Sequence, residues 1–160
     1  MSCSIRIKIG YDCCCLRSSR CKLVEYVRKF ASFLKASESC EALVNQFLEL
    51  QQNRAIAYST LESAHKTYLQ TAPDYDFQTY RQHVAKITEQ FASISKQILA
   101  IIAKLEINEK TKAVAELMKD IQAGEKDKLQ LTTKLQCAKQ DVIDHPDQDY
   151  ELQVRELRKE

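Results

Sequence analysis

Between Phe77 and Leu105 the apolar residues Phe77, Tyr80, Val84, Ile87, Phe91, Ile94, Ile98, Ile101 and Leu105 follow alternating steps of three and four, with no polar member. A stripe that narrow and regular marks a long helix that buries one seam against other helices. Asp76 stands where it can cap the first free amides, and Tyr75 and Tyr80 are spaced for a hydrophobic staple. Helical packing is therefore the one solution open to this span. The remainder of the chain agrees, because its only glycines and prolines are Gly10, Gly124, Pro73 and Pro146. A sheet of many short strands would need more turn chemistry than that. The expected fold is all-α: an elongated antiparallel bundle of three long helices with shorter terminal helices and coiled-coil-like packing.

Two further seams flank the first. Leu43, Phe47, Leu50, Arg54, Ala57, Leu61, Ala64 and Tyr68 predict a helix running to about Gln70. Val114, Leu117, Ile121, Gly124, Lys128, Leu131, Leu135, Ala138 and Val142 predict another, capped by Asn108 or Thr111 and stopped near His145 and Pro146. The break at 71–76 is short, and short connections make consecutive helices antiparallel neighbours. A smaller set, Leu23, Val27, Phe30 and Leu34, marks another helix before Ser37 to Ser39, which read either as a cap or as a soft spot in one continuous helix. The 160 residues hold one modest core, so a single bundle domain is expected over residues 23–142. Residues 143–160 read as a charged helix, with Tyr150, Val154 and Leu157 on one side and Glu151 placed to pair with Arg155. That helix ends without a stop signal, as in a truncated or alternative form.

Residues 1–22 differ in kind. They carry Arg6, Lys8, Arg17, Arg20 and Lys22 against Asp12 alone, together with Cys3, Cys13, Cys14, Cys15 and Cys21. The whole chain has a net charge of +2, so the body beyond this segment is slightly acidic. An acidic body is a poor general binder of nucleic acid, whose sequence-independent affinity comes from basic groups displacing counterions. The crowded cysteines do not form a disulfide framework, which fits a reduced intracellular compartment. They lack the paired spacing of a zinc site, and neither S-acylation nor a transit peptide is better supported than a disordered or variable N-terminus. The longest uncharged apolar run, residues 97–103, falls far short of the ~20 residues needed to cross a bilayer. A soluble intracellular protein is expected, nuclear or cytoplasmic.

The polar exceptions to the seams fall at one height. Arg54 and Gly124 lie at similar depths in two helices expected to run parallel, and counting back along the antiparallel helix between them reaches Ile94 and Ser95. Arg54, Gly124, Glu125 and Lys128 are thus expected to form a polar layer. A mid-helix glycine costs about 1 kcal/mol relative to alanine, so close approach of a helix or room for the large Arg54 is the expected reason for it. Glu125 is the nearest counterion, and Lys128 can extend its amine to water along an apolar stem. Such a layer fixes helix register; alternatively, Arg54 and Lys128 receive an anionic group from a partner or nucleic acid.

Nothing in the pattern points to catalysis. Glu62, His65 and Tyr68 share a helix face, but no nucleophile or third ligand is arranged with them, and a helix-face histidine is usually a packing residue. His83 and His145 are isolated. So few glycines exclude a phosphate-cradling loop and a dinucleotide fingerprint. Neither enzyme activity, a cofactor nor a bound metal is expected.

From about Leu43 to Gln140 the chain resembles the required-for-excision 1-B domain family, named for DNA excision repair. The resemblance rests on Leu50, Gln51 and Arg54; on Leu61, Glu62, His65, Tyr68 and Leu69; and on the run Pro73, Tyr75, Asp76, Phe77, Tyr80 and Arg81. Thr88, Phe91, Ser95, Leu99 and Ala100 add to it, as do Gln122, Glu125, Leu129, Thr132, Leu135 and Gln136. It implies a small helical protein linked to repair of damaged DNA, with no family active site or cofactor to transfer, and a nuclear location. The cysteine-rich start departs from the family's usual N-terminus, and its final helix is cut short here. The expected function is a non-enzymatic adaptor in excision repair that acts through a protein partner by helix-in-groove association. Leu99 and Leu129, which fall off their seams, are the candidates for outward contact; the alternative is that they widen the core stripe. Direct nucleic-acid binding, or a structural role in a coiled-coil complex unrelated to repair, are the rival functions.

Overall fold

The computed structural model describes residues 38–159. Four helices follow one another: α1 (Glu38–Leu69), α2 (Phe77–Glu106), α3 (Lys112–Asp144) and α4 (Tyr150–Leu157). The first three form the expected antiparallel all-α bundle. The cysteine-rich start and the Leu23 to Leu34 set lie outside the described residues.

The helix starts follow from local chemistry. Asp76 caps α2, its Oδ1 accepting from the Thr79 amide at 3.1 Å. Those bonds to Thr79 hold the Asp76 carboxyl below its ordinary pKa. Thr111 precedes α3 without capping it, because its hydroxyl donates backwards to the carbonyls of Leu105 and Asn108 at 2.5 and 3.0 Å. That bond closes the α2–α3 turn over a buried threonine, and Lys119 ties the same corner by an ion pair to Glu106 at 2.5 Å.

One core cluster fills the half of the bundle where α1 begins. Val44, Phe47 and Leu50 pack with Ile94, Ile98, Ile101, Ile102 and Leu105 of α2 and with Val114, Ala115, Met118 and Ile121 of α3. A smaller cluster of Ala57, Leu61 and Ile87, backed by Val84 and Phe91, continues between α1 and α2. α2 packs along both neighbours, whereas the backbones of α1 and α3 approach each other closely at few points.

In the α2 seam Ile87, Ile94, Ile98, Ile101 and Leu105 are buried as expected, whereas Tyr80, Val84 and Phe91 are half-buried and Phe77 is 60% exposed. The α3 seam is not the true core face. Val114, Ile121 and Ala138 are buried, but Leu117, Gly124, Lys128, Leu131, Leu135 and Val142 are only half-buried, while Ala115 and Met118 are fully buried. Gln122 and Gln136 explain the rotation, since their side chains are drawn inward to hydrogen-bond Arg54 and Tyr80. The C-terminal helix is shorter than residues 143–160; its Val154 is buried, and Glu151 pairs with Arg155 at 3.1 Å.

Candidate functional site

The polar layer is centred on Arg54, which is only 3% exposed. Its guanidinium donates to Gln122 Oε1 of α3 at 2.6 Å and to Ser95 Oγ of α2 at 3.1 Å, so one side chain binds all three long helices at one level. A planar fork of donors suits this role better than a lysine, because its bonds point in fixed, diverging directions. Burial pulls the Arg54 pKa below its ordinary value, against the opposing fields of Glu125 and Tyr58, but an arginine remains charged at any physiological pH. Arg54 is thus almost wholly covered, with two of its donors bonded within the bundle.

The other members of the layer lie around Tyr58. The Lys128 Nζ stands 4.3 Å from the Tyr58 ring centroid as a cation–π contact. Tyr58 donates its hydroxyl to the Glu125 backbone carbonyl at 3.2 Å and tilts against Phe91 at 4.8 Å. Glu125 influences Arg54 through its charge rather than by a direct bond, and its Oε2 is buried without a hydrogen-bond partner. Gly124 answers neither explanation for a seam glycine, because a Cβ built there would meet nothing within 4 Å. Tyr58 and Gln122 were not among the layer residues read from the sequence. Gln122 lies one place off the seam, and only its spacing to Glu125 along α3 hinted that it shares that face.

The motif residues between Glu62 and Arg81 gather at the other end of the bundle. Tyr75 and Tyr80 do not staple one another directly; both stack on the buried Tyr68, with centroids at 4.8 and 4.5 Å. His65, only 4% exposed, leans on Tyr68 at 6.3 Å and on Tyr80 at 5.8 Å. Two hydroxyls carry the stack to α3: Tyr80 donates to Gln136 Oε1 at 3.3 Å and Tyr75 to Asp144 Oδ1 at 2.5 Å. The bond to Asp144 pushes the Tyr75 phenol up to about 12. Burial pulls the His65 pKa down, helped by the Lys139 charge and opposed by a hydrogen bond with the Gln136 backbone. His65 is thus held as a neutral packing group, and Glu62 beside it on α1 is exposed. Pro73, Asp76, Phe77 and Arg81 are exposed around the clasp.

The two leucines set aside as outward contacts are open to solvent, Leu99 at 57% and Leu129 at 36%. Leu99 lies one turn from Ser95, and Leu129 lies two turns from Gln122, so both flank the α2/α3 junction. Among the described residues no helix is long and apolar enough to cross a membrane.

Comparison with known proteins places this geometry in a family. The sequence model described as DNA repair REX1-B matches residues 42–139, more than half of the chain. The chain belongs to the DNA repair REX1-B family. A "Required for excision 1-B domain-containing protein" of Bos taurus is 43% identical over 63 residues, 39% of this chain and 35% of that protein. The protein of the same description from Mus musculus is 34% identical over 94 residues, 59% of this chain and 56% of the relative. The chain therefore spans between about a third and just over half of the length of these relatives. No solved structure matches it. The matched span contains the Arg54 layer and the tyrosine clasp up to Lys139, whereas Asp144 lies beyond it.

Proposed function

We propose that the protein is a non-enzymatic adaptor in DNA excision repair, acting in the nucleus and holding an amphipathic helix of a partner protein on the outer α2/α3 junction. The exposure of Leu99, at 57%, carries this reading. It sits on the middle helix of a bundle whose register is fixed by a buried arginine, so its position is rigid. Ser95 and Gln122 share Arg54 and hence one level. α2 and α3 are antiparallel, so Leu129 stands level with Thr88, eleven residues from Leu99, or ~16 Å along the junction. The exposed Ala92 lies between them and presents no bulk. A partner helix laying apolar residues three turns apart would cover both leucines, the usual way such helices are read. The family's link to DNA repair supplies the process.

The test is a full-length Leu99→Glu, Leu129→Glu double variant. Exposed substitutions of this kind change stability by about 0.5 kcal/mol or less each, so the fold should persist. Cells lacking the protein and supplied with the double variant should recover from DNA damage no better than uncomplemented cells. Recovery equal to that given by the natural sequence would refute the α2/α3 junction as the working surface.

A further inference from the structure

Given that the α2/α3 junction is the working surface, we propose that the partner helix it receives is acidic, with carboxylates on both flanks of its apolar stripe. Four cations line the junction. Lys96 lies one turn before Leu99 on α2, and Lys126 one turn before Leu129 on α3. The two helices are bonded at two levels, by Arg54 joining Ser95 to Gln122 and by Tyr80 donating to Gln136. In that register Lys126 stands level with Phe91 and Lys134 with His83. Lys96 and Lys126 therefore come from opposite walls, ~7.5 Å apart along the axis, within the span between the two leucines. Arg81, five turns before Leu99, shares its face of α2 and stands with Lys134 beyond Leu129. All four side chains are exposed, and none makes an ion pair among the described residues.

The acids nearby are engaged or turned aside. Glu106 and Glu116, at the end beyond Leu99, are both held by Lys119, at 2.5 and 3.0 Å. Asp127 follows Lys126 and so points about 100° further round α3. Glu89, on the outer side of α2, is the acid left to face the four cations. A partner helix with cationic flanks would meet like charge on both walls, whereas carboxylates on both flanks would each find a cation. Complementary charge of this kind speeds encounter and turns away wrong partners. A nucleic-acid backbone would meet the same cations but set Leu99 and Leu129 against phosphate, so their burial would gain nothing. An acidic amphipathic helix satisfies cations and leucines together.

The test uses the full-length chain and two synthetic alanine-rich helical peptides, each with leucines eleven residues apart. One carries glutamates beside the leucines and the other lysines. A single exposed ion pair contributes little, but four together should give the glutamate peptide a Kd about tenfold lower than the lysine peptide by fluorescence anisotropy in dilute salt. Added salt should shrink that preference. Lys96→Glu with Lys126→Glu should reverse it, and Leu99→Ala with Leu129→Ala should weaken the binding of the glutamate peptide. Equal binding of the two peptides, binding of neither, or a preference that is not reversed would overturn the acidic partner, while the junction itself stands or falls by recovery from DNA damage. A preference unchanged by Leu99→Ala with Leu129→Ala would overturn both. A short DNA duplex that binds more tightly than the glutamate peptide, and loses that binding with Lys96→Glu and Lys126→Glu, would overturn the proposal in favour of nucleic acid.

Discussion

Replacing Arg54 by alanine tests the polar layer most severely. Truncation removes the donor to Gln122 Oε1 at 2.6 Å and to Ser95 Oγ at 3.1 Å, and it leaves the Glu125 carboxylate without the nearby cation. Breaking a buried charged group of this sort costs about 3–5 kcal/mol, because the partners stay buried after their counterpart has gone. For a chain of this size each kcal/mol lowers Tm by about 2–4 °C, so a loss of roughly 6–20 °C is expected. Guanidinium unfolding at pH 7, followed by far-ultraviolet circular dichroism, should show the lower midpoint. Adding Gln122→Met to Arg54→Ala should recover at least about 1 kcal/mol of coupling energy, since the orphaned acceptor is then also removed. A cost for Arg54→Ala below about 1 kcal/mol, or strict additivity with Gln122→Met, would refute the reasoning.

Three smaller perturbations follow from the same geometry. Gly124→Ala should stabilise the protein by about 0.5–1 kcal/mol, because a Cβ there meets nothing and alanine is the better helix former; calorimetry would show the rise. His65 has a folded pKa below its ordinary 6.5, so the unfolded chain binds the extra proton first as pH falls. Stability should accordingly decline as pH drops through 6.5, and His65→Phe should flatten that decline in urea midpoints measured between pH 7.5 and 5.5. Tyr75 has the opposite sign, its folded pKa raised from 10 to about 12, so the clasp's contribution is complete below pH 10 and lost as pH rises toward 12. Asp144→Asn should bring one phenol back toward 10 in an ultraviolet titration.

The long helices were legible because their seams are carried by large apolar residues at steps of three and four, and burial leaves such a pattern little freedom. The α2 span shows this, with Ile87, Ile94, Ile98, Ile101 and Leu105 all buried. The common level of Arg54 and Ser95 was also readable, since it needs only residue counting and antiparallel direction. The rotation of α3 was not. Leu117 and Met118 are equally apolar, and the choice between them was made by Gln122 and Gln136 bonding inward, which depends on partners in other helices. The clasp was half visible: the Tyr75, Tyr80 spacing suggested a local staple, but Tyr68 and Asp144, distant in sequence, decided where the two rings went. Gly124 stands out in the sequence as an anomaly of its seam, but the open space beside it leaves no mark on the residues that border it.

The account depends on α1, α2 and α3 being held in one register by Arg54. The most direct measurement is a pulsed electron paramagnetic resonance distance between spin labels at the exposed Asn53 and Ala123, next to Arg54 and Gln122, in a chain whose seven native cysteines have been replaced. A single narrow distribution is predicted, unchanged by mutation of Leu99 or Leu129. A broad or divided distribution, with populations separated by about one helical turn, ~5 Å, would contradict it.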